Sequence, residues 1–133
     1  VSQSFGTTAY SCEDICFIDA LNGWICGYDN AITPHIHHTK NGGVSWERQV
    51  VPTSGNGNVS SIDFASPTEG WATTSSLYMS PAGPILHTVD GGDTWAIQGY
   101  TGLHYNYAID VRDEGGDLVA SFHGMVYRKK DPV

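Results

Sequence analysis

HTKNGGVSW at residues 38–46 returns as HTVDGGDTW at residues 87–95, with His, Thr, two glycines, a hydroxyl residue and Trp in the same order. A block repeated at a fixed spacing is the sequence signature of a repeat architecture. Around each copy, short runs of alternating apolar and polar residues are bounded by Gly, Pro, Asn and Ser, which is typical of β-strands. No window has the apolar spacing of a helix, so the pattern predicts an all-β chain.

A second block repeats in the same register. ICFIDALNGWICG at 15–27 corresponds to IDFASPTEGWATT at 62–74, at a spacing of 47 residues. A third, degenerate copy runs from Tyr107 to Asp131 and lacks the tryptophans. A repeat of 40 to 50 residues that holds four short strands is one blade of a β-propeller. We therefore predict about three blades of four antiparallel strands each.

The repeat register also sets the predicted domain organisation. A single propeller domain covers residues 1–133, and Ile62 and Phe64 are expected to face the core from the first strand of blade two. The predicted parts are a stray fourth strand at 1–11, blade one at 12–50, blade two at 59–98 and an incomplete blade three at 106–131.

Three blades are too few to close a ring, because propellers have typically about four to eight. Blade three stops before its fourth strand, and residues 1–11 align with a fourth strand, so the two ends of the chain are complementary. A head-to-tail dimer that exchanges this strand gives six blades and a closed symmetric assembly. The alternatives are a fragment of a longer propeller and an open arc capped by another protein.

The repeated turn resembles the Asp-box, or bacterial neuraminidase, repeat, whose pattern is Ser/Thr-x-Asp-x-Gly-x-Thr-Trp. The matching residues are Thr88, Asp90, Gly92, Thr94 and Trp95 in blade two, and Thr39, Asn41, Gly43, Ser45 and Trp46 in blade one. The full unit is most similar to the repeats of photosystem II stability and assembly factors. The resemblance implies that the box is a structural turn on the outer rim. A short acceptor such as Asp90 bonds N–H groups of the turn, and the glycines tolerate positive φ.

The same resemblance implies a non-catalytic scaffold for protein–protein recognition, an accessory or assembly subunit of a photosynthetic or other membrane complex. Aromatic and histidine side chains on loops are suitable interface anchors. The candidates are Tyr28, Tyr78, Tyr100, His104, Tyr105 and Tyr107. A carbohydrate-binding propeller is the first alternative and a glycosidase fragment the second.

Catalysis has little support in the sequence. A sialidase needs an arginine triad, and Arg48, Arg112 and Arg128 stand outside the motif context of that family. The fourteen acidic residues are scattered over loops, with no opposed pair of the kind that glycosidases use. We therefore expect no enzyme.

Charge and hydropathy exclude further classes of function. The formal net charge is −8 with only six Lys and Arg, which argues against binding to nucleic-acid backbones. No apolar run approaches the roughly 20 residues of a membrane-spanning helix.

Three neighbouring histidines raise the question of a metal site. His35 and His37 share a strand face, but His38 recurs as His87 just before the box threonine, which favours a packing role for it. No spacing of Cys and His matches a zinc module. We expect neither a metal nor a cofactor.

Blade one holds all three cysteines, Cys12, Cys16 and Cys26. Pairing the first two strands about a turn at Leu21 places Cys16 opposite Cys26, so a cross-strand disulfide is one interpretation and buried reduced thiols the other. Together with the glycosylation sequon at Asn58, the disulfide favours an extracytoplasmic compartment, whether periplasmic, lumenal or secreted.

Overall fold

Three antiparallel sheets form the part of the chain that the computed structural model describes, namely residues 10–53, 56–75, 83–100, 108–112, 117–122 and 125–129. Each strand pairs with its neighbour in sequence. Blade one contains β1 (Tyr10–Phe17), β2 (Gly23–Asp29), β3 (Pro34–Thr39) and β4 (Glu47–Gln49); blade two contains β5 (Asn58–Phe64), β6 (Gly70–Ser75), β7 (Pro84–Thr88) and β8 (Ala96–Tyr100); blade three contains β9 (Ala108–Arg112), β10 (Asp117–Phe122) and β11 (Met125–Lys129). The predicted all-β blades are confirmed.

Blades one and two have the same strand pairing, including a register shift between the first and second strands at equivalent positions. The pairing of β1 with β2 shifts between Cys12 and Asp14, and that of β5 with β6 shifts 47 residues later, between Val59 and Ser61. β1 begins at Tyr10, two residues before the predicted start of blade one, because its first residues pair with the end of β2. Residues 1–9 of the predicted stray strand lie outside the described residues.

The core lies between blades one and two and is centred on Trp24, which is fully buried. The Phe64 ring of blade two stacks on Trp24 with centroids 3.5 Å apart, and the His38 ring stacks at 4.3 Å. His87 stacks on Trp71 in the same way, at 4.7 Å. The predicted packing role of the histidine before the box is therefore confirmed.

The first strands of successive blades are joined by side-chain acceptors that recur every 47 residues. Asp14 Oδ2 accepts hydrogen bonds from the Ser61 hydroxyl and from the Ile62 N–H, each at 3.0 Å. Ser61 Oγ in turn accepts from the Ile109 N–H at 3.1 Å. The next member of the series is Ala108, which has no side-chain acceptor. We call this series the first-strand relay.

Replacing Asp14 with Ala is expected to lower the free energy of unfolding by about 2 kcal/mol, because a buried N–H and a hydroxyl lose their acceptor. Asp14→Ser should recover part of this loss, since Ser61 already supports a backbone N–H at the equivalent position. Urea unfolding measures both changes, with the exposed neighbour Glu13→Ala as the control. Equal stability of the Asp14→Ala and Glu13→Ala proteins would contradict the relay.

The three cysteines are free thiols, which corrects the predicted disulfide between Cys16 and Cys26. The hairpin of β1 and β2 is centred one residue earlier than predicted, so Cys16 lies opposite Trp24 and Cys26 lies opposite Asp14. The Cys16 thiol instead donates a hydrogen bond to Asp63 Oδ1 at 3.4 Å. Burial raises the pKa of Cys16 to about 11, which keeps the group protonated at neutral pH.

Candidate functional site

The Asp-box of blade two is a closed network of hydrogen bonds. The Thr88 hydroxyl donates to Asp90 Oδ1 and accepts from the Gly92 N–H, each at 2.8 Å. The Asp90 carboxylate also accepts from the N–H and the hydroxyl of Thr94, and these bonds lower its pKa to about 2. Gly91 and Gly92 have φ of 72° and 88°, as the turn requires.

The box of blade one keeps this geometry despite its two departures from the pattern. Asn41 Oδ1 accepts from the Thr39 hydroxyl at 3.0 Å and from the Ser45 N–H at 2.9 Å. The extra amide of Asn41 donates to the Ser45 hydroxyl at 2.8 Å. An amide oxygen therefore takes the place of the carboxylate, and the polar groups of both boxes are used inside the turn.

The box of blade two also takes part in packing between blades. Trp24 Nε1 and Gln49 Nε2, both in blade one, donate to the carbonyl oxygen of Gly91 in blade two, each at 2.9 Å. Gln49 Oε1 accepts from Trp95 Nε1 at 3.0 Å. We call this arrangement the Trp–Gln clasp. It fits closely enough that a Cβ on Gly92 would lie 2.0 Å from Gln49 Oε1.

A cavity of about 360 Å³ opens where β3 begins, β4 ends and the chain leaves blade one for blade two. Backbone and side chains of mixed polarity line it. They include Thr33, Pro34, Arg48, Val50, Val51 and Thr53. We call this opening, with the neighbouring turn between β2 and β3, the β3–β4 pocket.

Among the described side chains that line this pocket, Arg48 is the one cation. Arg48 is 43% exposed and lies 3.6 Å from the Asp29 carboxylate. Its guanidinium also lies over the Tyr10 ring, 5.9 Å from the centroid. An ion pair and a ring therefore hold the guanidinium in place while leaving part of it open to a ligand.

The turn beside the pocket carries backbone strain. Ile32 has φ of 57° and is 51% exposed, an unusual conformation for a β-branched residue. Asp29 Oδ1 accepts from the N–H groups of Ala31 and Thr33, each at 3.0 Å. The Gly57 N–H donates to the Ile32 carbonyl at 2.8 Å. These bonds hold an apolar side chain outward at the rim.

Two buried histidines lie behind Arg48. His35 Nε2–H donates to the Ser11 carbonyl at 3.2 Å, so the neutral ring offers Nδ1 as an acceptor, and His37 Nδ1–H donates to it at 3.1 Å. The Tyr10 ring packs edge-on against both. Burial, then the neighbouring His35 and Arg48, lower the pKa of His37 to about 4. Within the described residues, no three His, Cys, Asp or Glu side chains are grouped to hold a metal ion.

The family is decided by a match that covers nearly the whole sequence. The family model described as photosynthesis system II assembly factor YCF48 matches residues 3–128. The chain belongs to this family. This match confirms the resemblance to assembly-factor repeats, and the family is one of assembly factors. No curated protein matches the chain.

A solved YCF48-family structure shows the same fold. The structure described as YCF48 bound to D1 peptide is 27% identical to this chain, with a TM-score of 0.73. The match covers 94% of this chain and 39% of the solved one, so the chain spans about two fifths of that YCF48 protein. In the described part of the chain, no helix is long and apolar enough to cross a membrane.

The predicted binding loop of this YCF48-family chain is only partly covered by the structure. Tyr28 lies near the end of β2 and is half-buried. Tyr100 ends β8, where its backbone pairs with Pro84. The other candidates lie outside the described residues, namely Tyr78, His104, Tyr105 and Tyr107.

Sequence reasoning missed both the clasp and the pocket. Gln49 and Gln98 recur 49 residues apart, at the same spacing as the two boxes, and this signal could have identified the glutamine of the clasp. The pocket has no such signal, because part of its lining, Val50, Val51 and Thr53, comes from the linker that follows β4. The strain at Ile32 likewise has no sequence signature.

Replacing Ile32 with Asn is expected to raise the free energy of unfolding by about 1 kcal/mol, because Asn tolerates positive φ far better than a β-branched residue. Val50→Asn at a nearby exposed position should leave stability within about 0.5 kcal/mol, as is usual for surface changes. Thermal unfolding of the two variants distinguishes strain relief from a general effect of polarity. A destabilised Ile32→Asn protein would show that the turn is not strained.

Proposed function

We propose that this chain is part of a non-catalytic assembly factor that recognises a peptide segment of another protein at the β3–β4 pocket. The observation that carries the proposal is an open pocket with apolar rims and a positioned guanidinium. Membership of the YCF48 family and the peptide bound to the solved relative support it.

The chemistry of the pocket fits a peptide that has an apolar side chain next to a carboxylate. Ile32 and Val50 are exposed at the rim and supply apolar area. Arg48 supplies a fork of N–H donors that matches a carboxylate. Asp29 offsets part of its charge, so an incoming carboxylate must compete for the guanidinium, which favours a weak and reversible complex.

A non-catalytic role agrees with how two of the acidic residues, Asp14 and Asp90, are used. The Asp90 carboxylate is committed to the Asp-box turn, and the Asp14 carboxylate to the first-strand relay. These two carboxylates are structural acceptors. The glycosylation sequon at Asn58 supports placing this function in an extracytoplasmic compartment.

Binding of a fluorescent D1 peptide to the full chain tests the proposal directly. Arg48→Ala should weaken binding at least about tenfold, the effect of losing one charged hydrogen-bond partner. Val50→Asp should also weaken it, because it places a like charge beside the peptide carboxylate. Val44→Asp, an equally exposed valine on the box of blade one, is the matched control.

Unchanged affinity in both pocket variants would remove the pocket from the proposal. A chain that binds no peptide while binding glycans would instead favour the carbohydrate alternative, although Trp24, Trp71 and Trp95 are all buried. The loop at 100–107 and the strand-exchanged dimer stay predictions. Sedimentation of the chain at rising concentration tests the dimer, because a strand-exchanged dimer would double the mass.

A further inference from the structure

Blade one has an opening in its fourth strand that blade two does not have. In blade two, β8 pairs with β7 as far as Pro84, the first residue of β7. In blade one, β4 pairs with β3 only as far as Ile36, so Pro34 and His35 at the start of β3 are paired with β2 alone. The outer edge of β3 is therefore uncovered over these two residues. We call this opening the strand-four gap.

A bulge in β8 accounts for the difference between the two blades. β8 leaves Gln98 without a partner residue on β7 and pairs again at Gly99. Gln49, the counterpart of Gln98 in β4, pairs directly with β3, and the pairing ends there. The chain then turns away from the sheet, and the Thr53 N–H donates to the Val51 carbonyl at 2.9 Å. Because a bulge redirects a strand, its absence in β4 leaves the gap open.

The strand-four gap forms one wall of the β3–β4 pocket. Pro34 on β3 and Val51 on the departing linker both line the cavity of about 360 Å³. In blade two a strand fills the equivalent place, and neighbouring strands lie about 4.8 Å apart. An α-helix with its side chains is about 10–12 Å across. The gap therefore has the width of an extended chain and excludes a helix.

The Pro34 carbonyl is the backbone acceptor that faces this gap. The preceding carbonyl, of Thr33, accepts from the Asp29 N–H at 3.0 Å and so faces the β2 side. Successive residues of an extended strand direct their carbonyls to opposite edges, which directs the Pro34 carbonyl towards β4. β4 supplies no donor to it, because the pairing of these two strands ends at Ile36. Pro34 is buried, and a buried carbonyl is stabilised by a donor.

We propose that the bound peptide segment is an extended strand that occupies the strand-four gap and donates one backbone N–H to the Pro34 carbonyl. This inference rests on the proposed function and adds main-chain recognition to it. Arg48 lines the same pocket and pairs with a carboxylate on the segment. When a peptide adds to a strand edge, main-chain hydrogen bonds supply affinity and side chains supply specificity. The occupant is therefore an acidic peptide in the β conformation.

The first test replaces the backbone N–H groups of the D1 peptide with N-methyl groups, one at a time. One replacement should weaken binding to the full chain at least about fivefold, because the Pro34 carbonyl loses its donor. The replacements on either side of it should have little effect, since neighbouring N–H groups of an extended chain face opposite edges. The unmethylated peptide is measured in parallel with the Arg48→Ala and Val50→Asp chains.

The second measurement locates the hydrogen bond on this chain. Carbonyl carbons of Pro34 and His35 are labelled with ¹³C and followed by NMR while the D1 peptide is added. The Pro34 signal should move downfield, as expected of a carbonyl that gains a donor. The His35 signal is the matched control, because the alternation along β3 directs that carbonyl towards β2.

The outcomes separate this inference from the proposed function on which it rests. Equal tolerance of N-methylation at every position, sensitivity at consecutive positions, or an unmoved Pro34 signal overturns the extended strand, even where Arg48→Ala still weakens binding. A peptide that does not bind, or whose binding neither Arg48→Ala nor Val50→Asp changes, overturns the pocket as the site of recognition and this inference with it.

Discussion

The Trp24→Leu protein should lose about 3 kcal/mol or more of its free energy of unfolding, the range for truncating a fully buried Trp. Trp24 has no exposed surface and joins the two blades by stacking on Phe64. Leu removes this stacking, leaves a cavity and takes away one of the two donors to the Gly91 carbonyl. Urea unfolding followed by circular dichroism measures the loss.

Two further variants separate stacking from hydrogen bonding at this site. Trp24→Phe keeps an aromatic ring and removes the indole N–H, and Gln49 still donates to Gly91, so we expect a loss of about 1–2 kcal/mol. Trp46→Leu changes the half-buried Trp of the blade-one box and should cost less than either. If Trp46→Leu proves as costly as Trp24→Leu, burial between blades one and two is not what makes Trp24 important.

Acidification from pH 7 to pH 4 should destabilise the chain by up to about 3 kcal/mol through His37 alone. Its pKa in the folded state is lowered to about 4, whereas the unfolded chain binds the proton near 6.5. The stabilisation is therefore complete above about pH 6.5 and falls as the pH drops towards 4. His35 and His38 have pKa values lowered in the same direction, which adds to the loss.

The variant His37→Leu provides the matched control, because Leu86 occupies the equivalent position in blade two. This variant should flatten the dependence of stability on pH between 6.5 and 4. The carboxylate of Asp90, whose pKa is about 2, should keep its own contribution until the pH falls below 4. Melting temperatures across this range measure the effect, and an unaltered slope in the variant would show that His37 is not the responsible group.

Blade architecture could be predicted because each blade repeats local patterns that determine local structure. The two glycines, the hydroxyl residue and the acceptor of each box lie within nine residues, and the turn forms from contacts among them. The alternation of side chains along a strand likewise predicted that Ile62 and Phe64 face the core, where both are buried.

Contacts between different strands and blades were harder to predict from the sequence. The predicted partner of Cys16 was wrong because Asp19 accepts hydrogen bonds from Leu21 and Asn22, which fixes the turn one residue earlier than expected. A shift of one residue in the centre of a hairpin moves every cross-strand partner by two. The clasp depends on packing between two blades, and the pocket depends on the path of the linker after β4. The sequence of one blade specifies neither.

The first-strand relay weakens along the chain. Blade two is tied to blade one through the carboxylate of Asp14, while blade three is tied to blade two through the neutral hydroxyl of Ser61. A charged acceptor forms the stronger bond, and at Ala108 the series ends. Under thermal or mechanical load, blade three should therefore detach first, and blades one and two should unfold last, as one cooperative unit.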